Sequence, residues 1–193
     1  MGLSPEIETA IMKASAKHGV EKALIKAIMK RESDFRPKVS REEPHINDAS
    51  IGLMQVLVKT ARWMANDERI DRQRLFDIQF NVDIGTKYIR YQLDRYSDMK
   101  KAIAAYNAGS AKYKSDGSFI NQPYVDYVYG WYLKYLDEES AVFGPMPLLS
   151  PPSSVPGELP ELQFEIPNIE DSSMSMMALA AVVALGAVFM MRK

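Results

Sequence analysis

The sequence predicts a mainly α-helical domain, followed by a proline-rich linker and one C-terminal transmembrane helix. Apolar residues recur at three- and four-residue spacing through residues 1–143, which is the pattern of amphipathic helices around a core. Seven of the eleven prolines fall in residues 144–173, and residues 174–191 form a run without a charged side chain. These observations divide the chain into a folded domain, a tether and an apolar segment.

The first helix is predicted to begin at Pro5 and to end before Gly19. Ser4 is suited to cap it, because a serine hydroxyl accepts a hydrogen bond from a free amide of the first turn. Proline is favoured at the first helical position, and glycine readily adopts the left-handed conformation that ends a helix. The apolar stripe consists of Ile7, Ala10, Ile11 and Ala14. Because charges run through this segment, it is predicted to be part of the fold and not a secretory signal peptide.

Five further helices are predicted, and no segment shows the alternation typical of a strand. The second carries Leu24 and Ile28 on its buried stripe and ends near Glu32. The third is predicted over "GLMQVLVKTARWMA" and the fourth over "FDIQFNVDIGTKYIRYQLDRY". Asp98 is suited to cap the fifth, which Gly109 ends, and Pro123 opens the sixth.

Residues 144–173 are predicted to form a semi-rigid tether. They contain five acidic residues and no Lys or Arg. Repeated proline favours the polyproline II conformation, with a rise of about 3.1 Å per residue, so the segment would reach up to roughly 90 Å.

Residues 174–191 are predicted to form a transmembrane helix. These 18 residues carry no charge, and a span of about 17 to 25 apolar residues crosses the hydrocarbon core of a bilayer. The alternative is a buried core helix, against which the preceding linker argues. Arg192 and Lys193 follow, which favours a cytoplasmic location for this end.

Composition excludes several classes of site. The net charge is −1, and residues 1–143 carry 22 Lys and Arg against 20 Asp and Glu, so no nucleic-acid partner is predicted. The absence of cysteine excludes disulfides, thiolate metal sites and a thiol nucleophile. The two histidines, His18 and His45, are predicted to be surface residues, and no metal or cofactor is expected.

Glu32 is the candidate catalytic residue because it follows Leu24 and Ile28 at four-residue steps. Its side chain should project from the end of an apolar face, at a helix C-terminus. Partial burial and the partial negative charge of the helix end both raise the pKa of a carboxyl group, as a general acid requires. The alternative is a solvated glutamate at which the apolar stripe ends early.

Four motifs follow one another along the chain: "ESDFRP" (32–37), "IGLMQV" (51–56), "AAYNAG" (104–109) and "PYVDYV" (123–128). In this order, with Asn81, Gly85 and Tyr88 between them, they resemble the motifs of the soluble lytic transglycosylase family. The resemblance covers about residues 6 to 136 and implies a lysozyme-like, goose-type helical fold.

The resemblance implies that Glu32 is the single catalytic acid, acting on the bond between MurNAc and GlcNAc in peptidoglycan. It implies nine substrate-binding positions: Ser33, Ser40, Gly52, Leu53, Met54, Gln55, Tyr106, Asn107 and Tyr124. Glycine at position 52 is expected to let the backbone approach a sugar, and Gln55 offers both a donor and an acceptor.

The sequence departs from the family pattern in two places. The loop "KVSREEPHINDAS" is longer than usual, so its acids Glu42, Glu43 and Asp48 have no secure counterparts and are expected on a solvated face. Before Tyr124, the sequence reads "FINQP" where many members carry Glu-Thr, so Asn121 or Gln122 is expected to replace that contact.

Three functions remain open at this point. Glycosidases that use water normally need two carboxylates, whereas the resemblance supplies one, which favours a non-hydrolytic lytic transglycosylase. A muramidase in which Asp48 or Glu43 positions a water is the first alternative. An inactive peptidoglycan-binding module is the second.

The expected partners are peptidoglycan glycan strands and, through residues 174–191, a lipid bilayer. The domain is expected to face the cell wall from a virion membrane or a bacterial inner membrane. A phage virion protein that opens the wall locally during infection would account for a C-terminal membrane segment without a secretory signal. The oligomeric state is not predicted.

Overall fold

The computed structural model describes residues 2–143. The α-helices are α1 Pro5–His18, α2 Lys22–Glu32, α3 Val58–Ala65, α4 Ile78–Tyr96, α5 Met99–Ala108 and α6 Gln122–Phe143. A small antiparallel sheet has the order β1 Ser40–Glu43, β2 Asp48–Ile51 and β3 Val56–Leu57. Short 3₁₀ helices span Pro44–Ile46 and Arg74–Phe76. The predicted mainly α-helical domain is confirmed.

The predicted linker (144–173) and transmembrane helix (174–191) lie outside the described residues. Within residues 2–143, none of the helices is both long and apolar enough to cross a bilayer.

The central element is α2, which is buried on most sides. It packs against α1 and α6, while α4 packs against α1, α3 and α5. The fully buried side chains of α2 are Ala23, Leu24, Ile25, Ala27, Ile28 and Met29. Such a helix, apolar around most of its circumference, belongs in the interior. Glu32 is therefore the last residue of a helix that leads out of the core.

The predicted helix caps are confirmed. The Ser4 side chain accepts a hydrogen bond from the Ile7 amide, and Asp98 accepts one from the Lys101 amide. Gly19 and Gly109 end α1 and α5 in the left-handed conformation. His18, predicted at the surface, is instead largely buried, and its Nε2 atom lies 2.8 Å from Asp83 Oδ1 on α4.

The prediction of one helix over residues 52–65 is wrong. Residues 52–55 form turns, β3 follows, and α3 begins only at Val58. Gly52 and Gln55 adopt positive φ angles of 78° and 46°, which a helix does not allow. The sheet was missed because β2 is buried at all four residues, so it shows no alternation of apolar and polar side chains.

Asn81 on α4 holds the loop of residues 52–55 in place. Its Oδ1 accepts a hydrogen bond from the Met54 amide at 2.9 Å. Its Nδ2 donates to the carbonyl oxygens of Ile51 at 2.8 Å and Leu75 at 2.9 Å. A Cβ at position 52 would overlap the Asn81 amide and lie 2.8 Å from the Leu75 oxygen. Glycine at position 52 is therefore required by its φ angle and by this packing, which differs from the sugar approach expected from the sequence.

We expect Asn81→Ala to lower the free energy of unfolding by about 3 kcal/mol, because it removes three hydrogen bonds and leaves buried backbone groups unpaired. Urea denaturation of the full-length protein measures this change. The exposed Gln73 provides a control, since Gln73→Ala should change the stability by no more than about 0.5 kcal/mol. Equal effects of both substitutions would contradict the role of Asn81.

Candidate active site

Glu32 opens onto a cleft of about 470 Å³ between the sheet and the helices. The residues that line it come from α2, β1, the 3₁₀ helix that follows β1, β2, the 55–60 segment, α4 and the end of α5. They are Glu32, Arg41, Glu43, His45, Ile46, Ser50, Gln55, Val56, Leu57, Thr60, Tyr88, Tyr106, Asn107, Ala108 and Gly109. A cleft of this size can hold a small ligand, and its polar side chains can fix the orientation of that ligand.

The Glu32 carboxyl group is mostly buried and hydrogen-bonded to one tyrosine. The Tyr124 hydroxyl donates to Glu32 Oε1 at 2.6 Å. Burial raises the pKa of Glu32, while the Tyr124 hydrogen bond and the positive charges of Arg31 and Arg41 oppose the rise. The net direction is upward. Glu32 thus retains a proton at a higher pH than an exposed glutamate does, as the sequence predicts.

Two buried tyrosines flank the carboxyl group, and both act as hydrogen-bond donors. Burial and the nearby Glu32 raise the pKa of Tyr106 and of Tyr124 well above the ordinary value. Tyr106 donates to the Met54 carbonyl oxygen at 2.9 Å. Because neither phenol loses its proton near neutral pH, Glu32 Oε1 serves as an acceptor from Tyr124.

The end of α2 is tied to the loop of residues 52–55. The Ser33 hydroxyl, 2% exposed, donates to the Leu53 carbonyl oxygen at 2.8 Å. Gln55 Nε2 donates to the carbonyl oxygens of Val39 and Gly52. These bonds fix the position of Gln55, which lines the same cleft as Glu32.

The structure divides the ten predicted site residues into two groups and one outlier, Ser40. Four of them line the cleft: Glu32, Gln55, Tyr106 and Asn107. Five others are buried around these four and support them: Ser33, Gly52, Leu53, Met54 and Tyr124. Ser40 is exposed on β1, where it pairs with Ile51, and is not among the cleft residues. Substrate contacts at these positions stay predictions.

Sequence reasoning missed most of the cleft wall formed by the long loop. Arg41, Glu43 and His45 all line the cleft, because residues 40–51 fold into a hairpin beside Glu32. Glu43 accepts hydrogen bonds from Arg41 at 2.7 Å and from Ser50 at 3.2 Å. The hydrogen bond from Arg41 is the main cause that lowers the pKa of Glu43. An exposed, polar "SREE" segment gives no signal of this in the sequence.

Asp48 is buried, contrary to its predicted place on a solvated face. Its Oδ1 accepts hydrogen bonds from the amides of Ala49 and Val58, and its Oδ2 accepts one from the Lys59 amide. Free amides at the start of a helix need such acceptors. Asp48 therefore stabilises the start of α3, and both of its oxygens are occupied.

Asn121 and Gln122 occupy the positions before Tyr124. Asn121 Nδ2 donates to Asn107 Oδ1 at 2.9 Å and to the Ala104 carbonyl oxygen at 3.0 Å. Gln122 instead bonds to Phe119 and Asp126 near the start of α6. Asn121 is thus the one of the two that reaches a cleft residue.

The chain matches a known family over most of the described domain. The sequence model described as "Transglycosylase SLT domain" matches residues 9–119. Proteins named "Membrane-bound lytic murein transglycosylase C" from Yersinia pestis (strain Pestoides F) and Yersinia pseudotuberculosis serotype I (strain IP32953) are 34% identical over 114 residues. The match covers 52% of this chain and only 30% of each relative.

Two solved structures resemble the fold. One is an inactive mutant of the lytic transglycosylase Slt from Pseudomonas aeruginosa, with a TM-score of 0.56 and 19% identity over 72% of this chain and 25% of that one. The other is the 70-kDa soluble lytic transglycosylase in complex with bulgecin A, with a TM-score of 0.54 and 22% identity over 67% of this chain and 24% of that one. The predicted lysozyme-like helical fold is confirmed.

We expect Glu32→Gln to raise the free energy of unfolding at neutral pH. Because the pKa of Glu32 is raised above its ordinary value of 4.5, the folded wild type binds more protons than the unfolded chain between these two pKa values. Wild-type stability therefore falls as the pH rises through this window, and Gln, which does not titrate, avoids the loss.

Urea denaturation of both proteins from pH 4 to pH 8 measures this effect. The advantage of Glu32→Gln should be smallest at pH 4 and grow with pH. Glu68→Gln, at an exposed position, controls for the loss of one carboxyl group. An advantage that shrinks as the pH rises would contradict a raised pKa.

Proposed function

The chain belongs to the transglycosylase SLT domain family, and from that premise we propose that it is a peptidoglycan lytic transglycosylase. It would cleave the β-1,4 bond between MurNAc and GlcNAc and leave a 1,6-anhydroMurNAc end. The observation that carries the proposal is the raised pKa of Glu32, the matched family acid, at the cleft. The relatives named lytic murein transglycosylases support the same activity.

The first step would be proton donation by Glu32. Because the Tyr124 hydroxyl donates to Oε1, Oε2 would carry the acidic proton of Glu32. That proton would pass to the glycosidic oxygen as the bond to C1 of MurNAc breaks. The resulting carboxylate would be stabilised by the Tyr124 hydrogen bond and by the charges of Arg31 and Arg41.

The second step would use the substrate's own hydroxyl group. The C6 hydroxyl of MurNAc attacks C1, and Glu32 accepts its proton, so the acid is regenerated and no water is consumed. A single carboxylate suffices for both proton transfers. The position of Asp48 supports this route, since Asp48 is buried at the start of α3 and is not among the residues that line the cleft.

A hydrolytic muramidase is the second candidate function, and Glu43 is the observation that favours it. Glu43 lines the same cleft as Glu32 and has a lowered pKa, so it is charged and suited to act as a base. Against this, one of its oxygens already accepts hydrogen bonds from Arg41 and Ser50. We therefore rank the muramidase second.

Digestion of purified peptidoglycan by the full-length protein, with the muropeptides weighed by mass spectrometry, tests the proposal. We expect anhydromuropeptides, each one water lighter than the hydrolytic product. Glu32→Gln should lower kcat/KM by about a thousandfold, because it removes the general acid.

Glu43→Gln is the matched control, since it removes the other carboxyl group of the cleft. It should still release anhydromuropeptides. Reducing-end products that disappear in Glu43→Gln would favour the muramidase. Binding to peptidoglycan without any product would favour the inactive binding module.

We also propose that the domain acts from a membrane. The support is the sequence alone: residues 174–191 are long and apolar enough to span a bilayer, and residues 144–173 have the composition of an extended tether. The membrane would be that of a virion or a bacterial inner membrane. In a virion, the domain would open the cell wall locally during infection.

Membrane fractionation tests the tether. We expect the full-length protein to stay with the membranes in high salt and at alkaline pH, whereas a variant without residues 174–191 stays in the supernatant. Equal partitioning of the two proteins would overturn the tether. Mass spectrometry of purified particles of the encoding phage would detect the protein if it is carried in the virion, and its absence would leave the inner membrane.

A further inference from the structure

Two large aromatic side chains are exposed beside the cleft. Trp63 on α3 is 55% exposed, and Tyr91 on α4 is 38% exposed. Their rings meet edge to face, with centroids 4.9 Å apart and an interplanar angle of 86°. Large aromatic groups left together in solvent mark binding surfaces more often than isolated ones do.

This pair continues the cleft. Trp63 lies one helical turn beyond Thr60 and Tyr91 one turn beyond Tyr88, and both Thr60 and Tyr88 line the cleft. Residues three apart in a helix lie on the same face.

The rings also form a continuous path from Glu32 outward. The Tyr88 ring lies 5.2 Å from the ring of Tyr106, which flanks the acid, and 6.4 Å from the rings of both Trp63 and Tyr91. Each of these distances between ring centroids is comparable to the width of one sugar ring.

The chemistry of the pair suits a sugar. One face of a pyranose ring presents mainly C–H groups, which pack against the electron-rich face of an aromatic ring, while the hydroxyl groups at the rim stay in water. The edge-to-face contact with Tyr91 fixes the orientation of the indole ring of Trp63. A fixed aromatic ring loses little conformational entropy when a ligand stacks on it.

We infer that Trp63 and Tyr91 form a distal subsite that stacks on a sugar of the glycan strand, beyond the sugars held at Glu32. The inference rests on the proposed function, because the occupant is the same strand. The subsite is continuous with the cleft at Thr60 and Tyr88, and this continuity selects the glycan strand as its occupant. The subsite favours long strands over short ones and leaves the chemical step unchanged.

Tryptophan fluorescence tests the contact directly. The chain has two tryptophans, so Trp131→Phe leaves Trp63 as the only one. In the full-length Glu32→Gln and Trp131→Phe double variant, which should not consume substrate, peptide-free strands of alternating GlcNAc and MurNAc are added in sized fractions. We expect strands that extend from Glu32 beyond Tyr88 to Trp63 to change the Trp63 emission. Disaccharides should leave this emission unchanged.

Kinetics with sized strands test the consequence. Trp63→Ala should raise KM about three- to tenfold on long strands, with kcat preserved, and should leave the shortest cleaved strand unaffected. Trp63→Phe should restore part of the loss. Leu133→Ala is the control, because Leu133 is a similarly exposed apolar residue, 49% exposed, on α6.

The outcomes separate the two proposals. If the wild type cleaves strands and Trp63→Ala changes all lengths equally, or none, the distal subsite is wrong and the activity stands. If the protein neither binds nor cleaves any strand, the proposed function fails and the subsite with it. A dimer in sedimentation that Trp63→Ala dissociates would show that a second copy covers the pair, which also overturns the subsite.

Discussion

The three hydrogen bonds of the Asn81 side chain hold the site together, because they fix a loop that has no regular structure of its own. The carbonyl oxygens of that loop receive the side chains of two helices. Leu53 accepts a hydrogen bond from Ser33 at the end of α2, and Met54 accepts one from Tyr106 on α5. The buried side-chain amide of Asn81 thus helps to position Glu32, Tyr106 and Gln55 at the cleft.

The pKa of Glu32 results from electrostatic effects that oppose each other. The core that α2 crosses removes water from the carboxyl group, which favours the protonated form. Tyr124, Arg31 and Arg41 favour the charged form. Under the proposed function, Glu32 would give up a proton and then take one back, and opposing influences on its pKa suit both transfers.

The sequence predicted those features that local rules determine. Ser4, Asp98, Gly19 and Gly109 each act on the nearest turn of a helix, so their roles follow from residue type and position. Glu32 was singled out as a candidate because a carboxylate on an apolar stripe conflicts with its surroundings, and the order of the four motifs favoured the catalytic interpretation over a solvated glutamate. The place of Glu43 in the cleft and the burial of Asp48 were missed because both depend on a hairpin that pairs residues up to eleven positions apart. Trp63 and Tyr91 lie on separate helices, and only their packing brings the two rings together.

The exposed strand β1 has a consequence for engineering this domain. It pairs with β2 alone, lies at the edge of the sheet and contributes Arg41 and Glu43 to the cleft, whereas Glu32 rests on the core. Replacing or lengthening such an edge strand leaves the interior packing intact. Under the proposed function, β1 would shape substrate preference through Arg41 and Glu43, while Glu32 would cleave the bond from the end of a core helix. Strand β1 (residues 40–43) is therefore the segment to exchange between relatives, whereas the buried strand β2 has to stay.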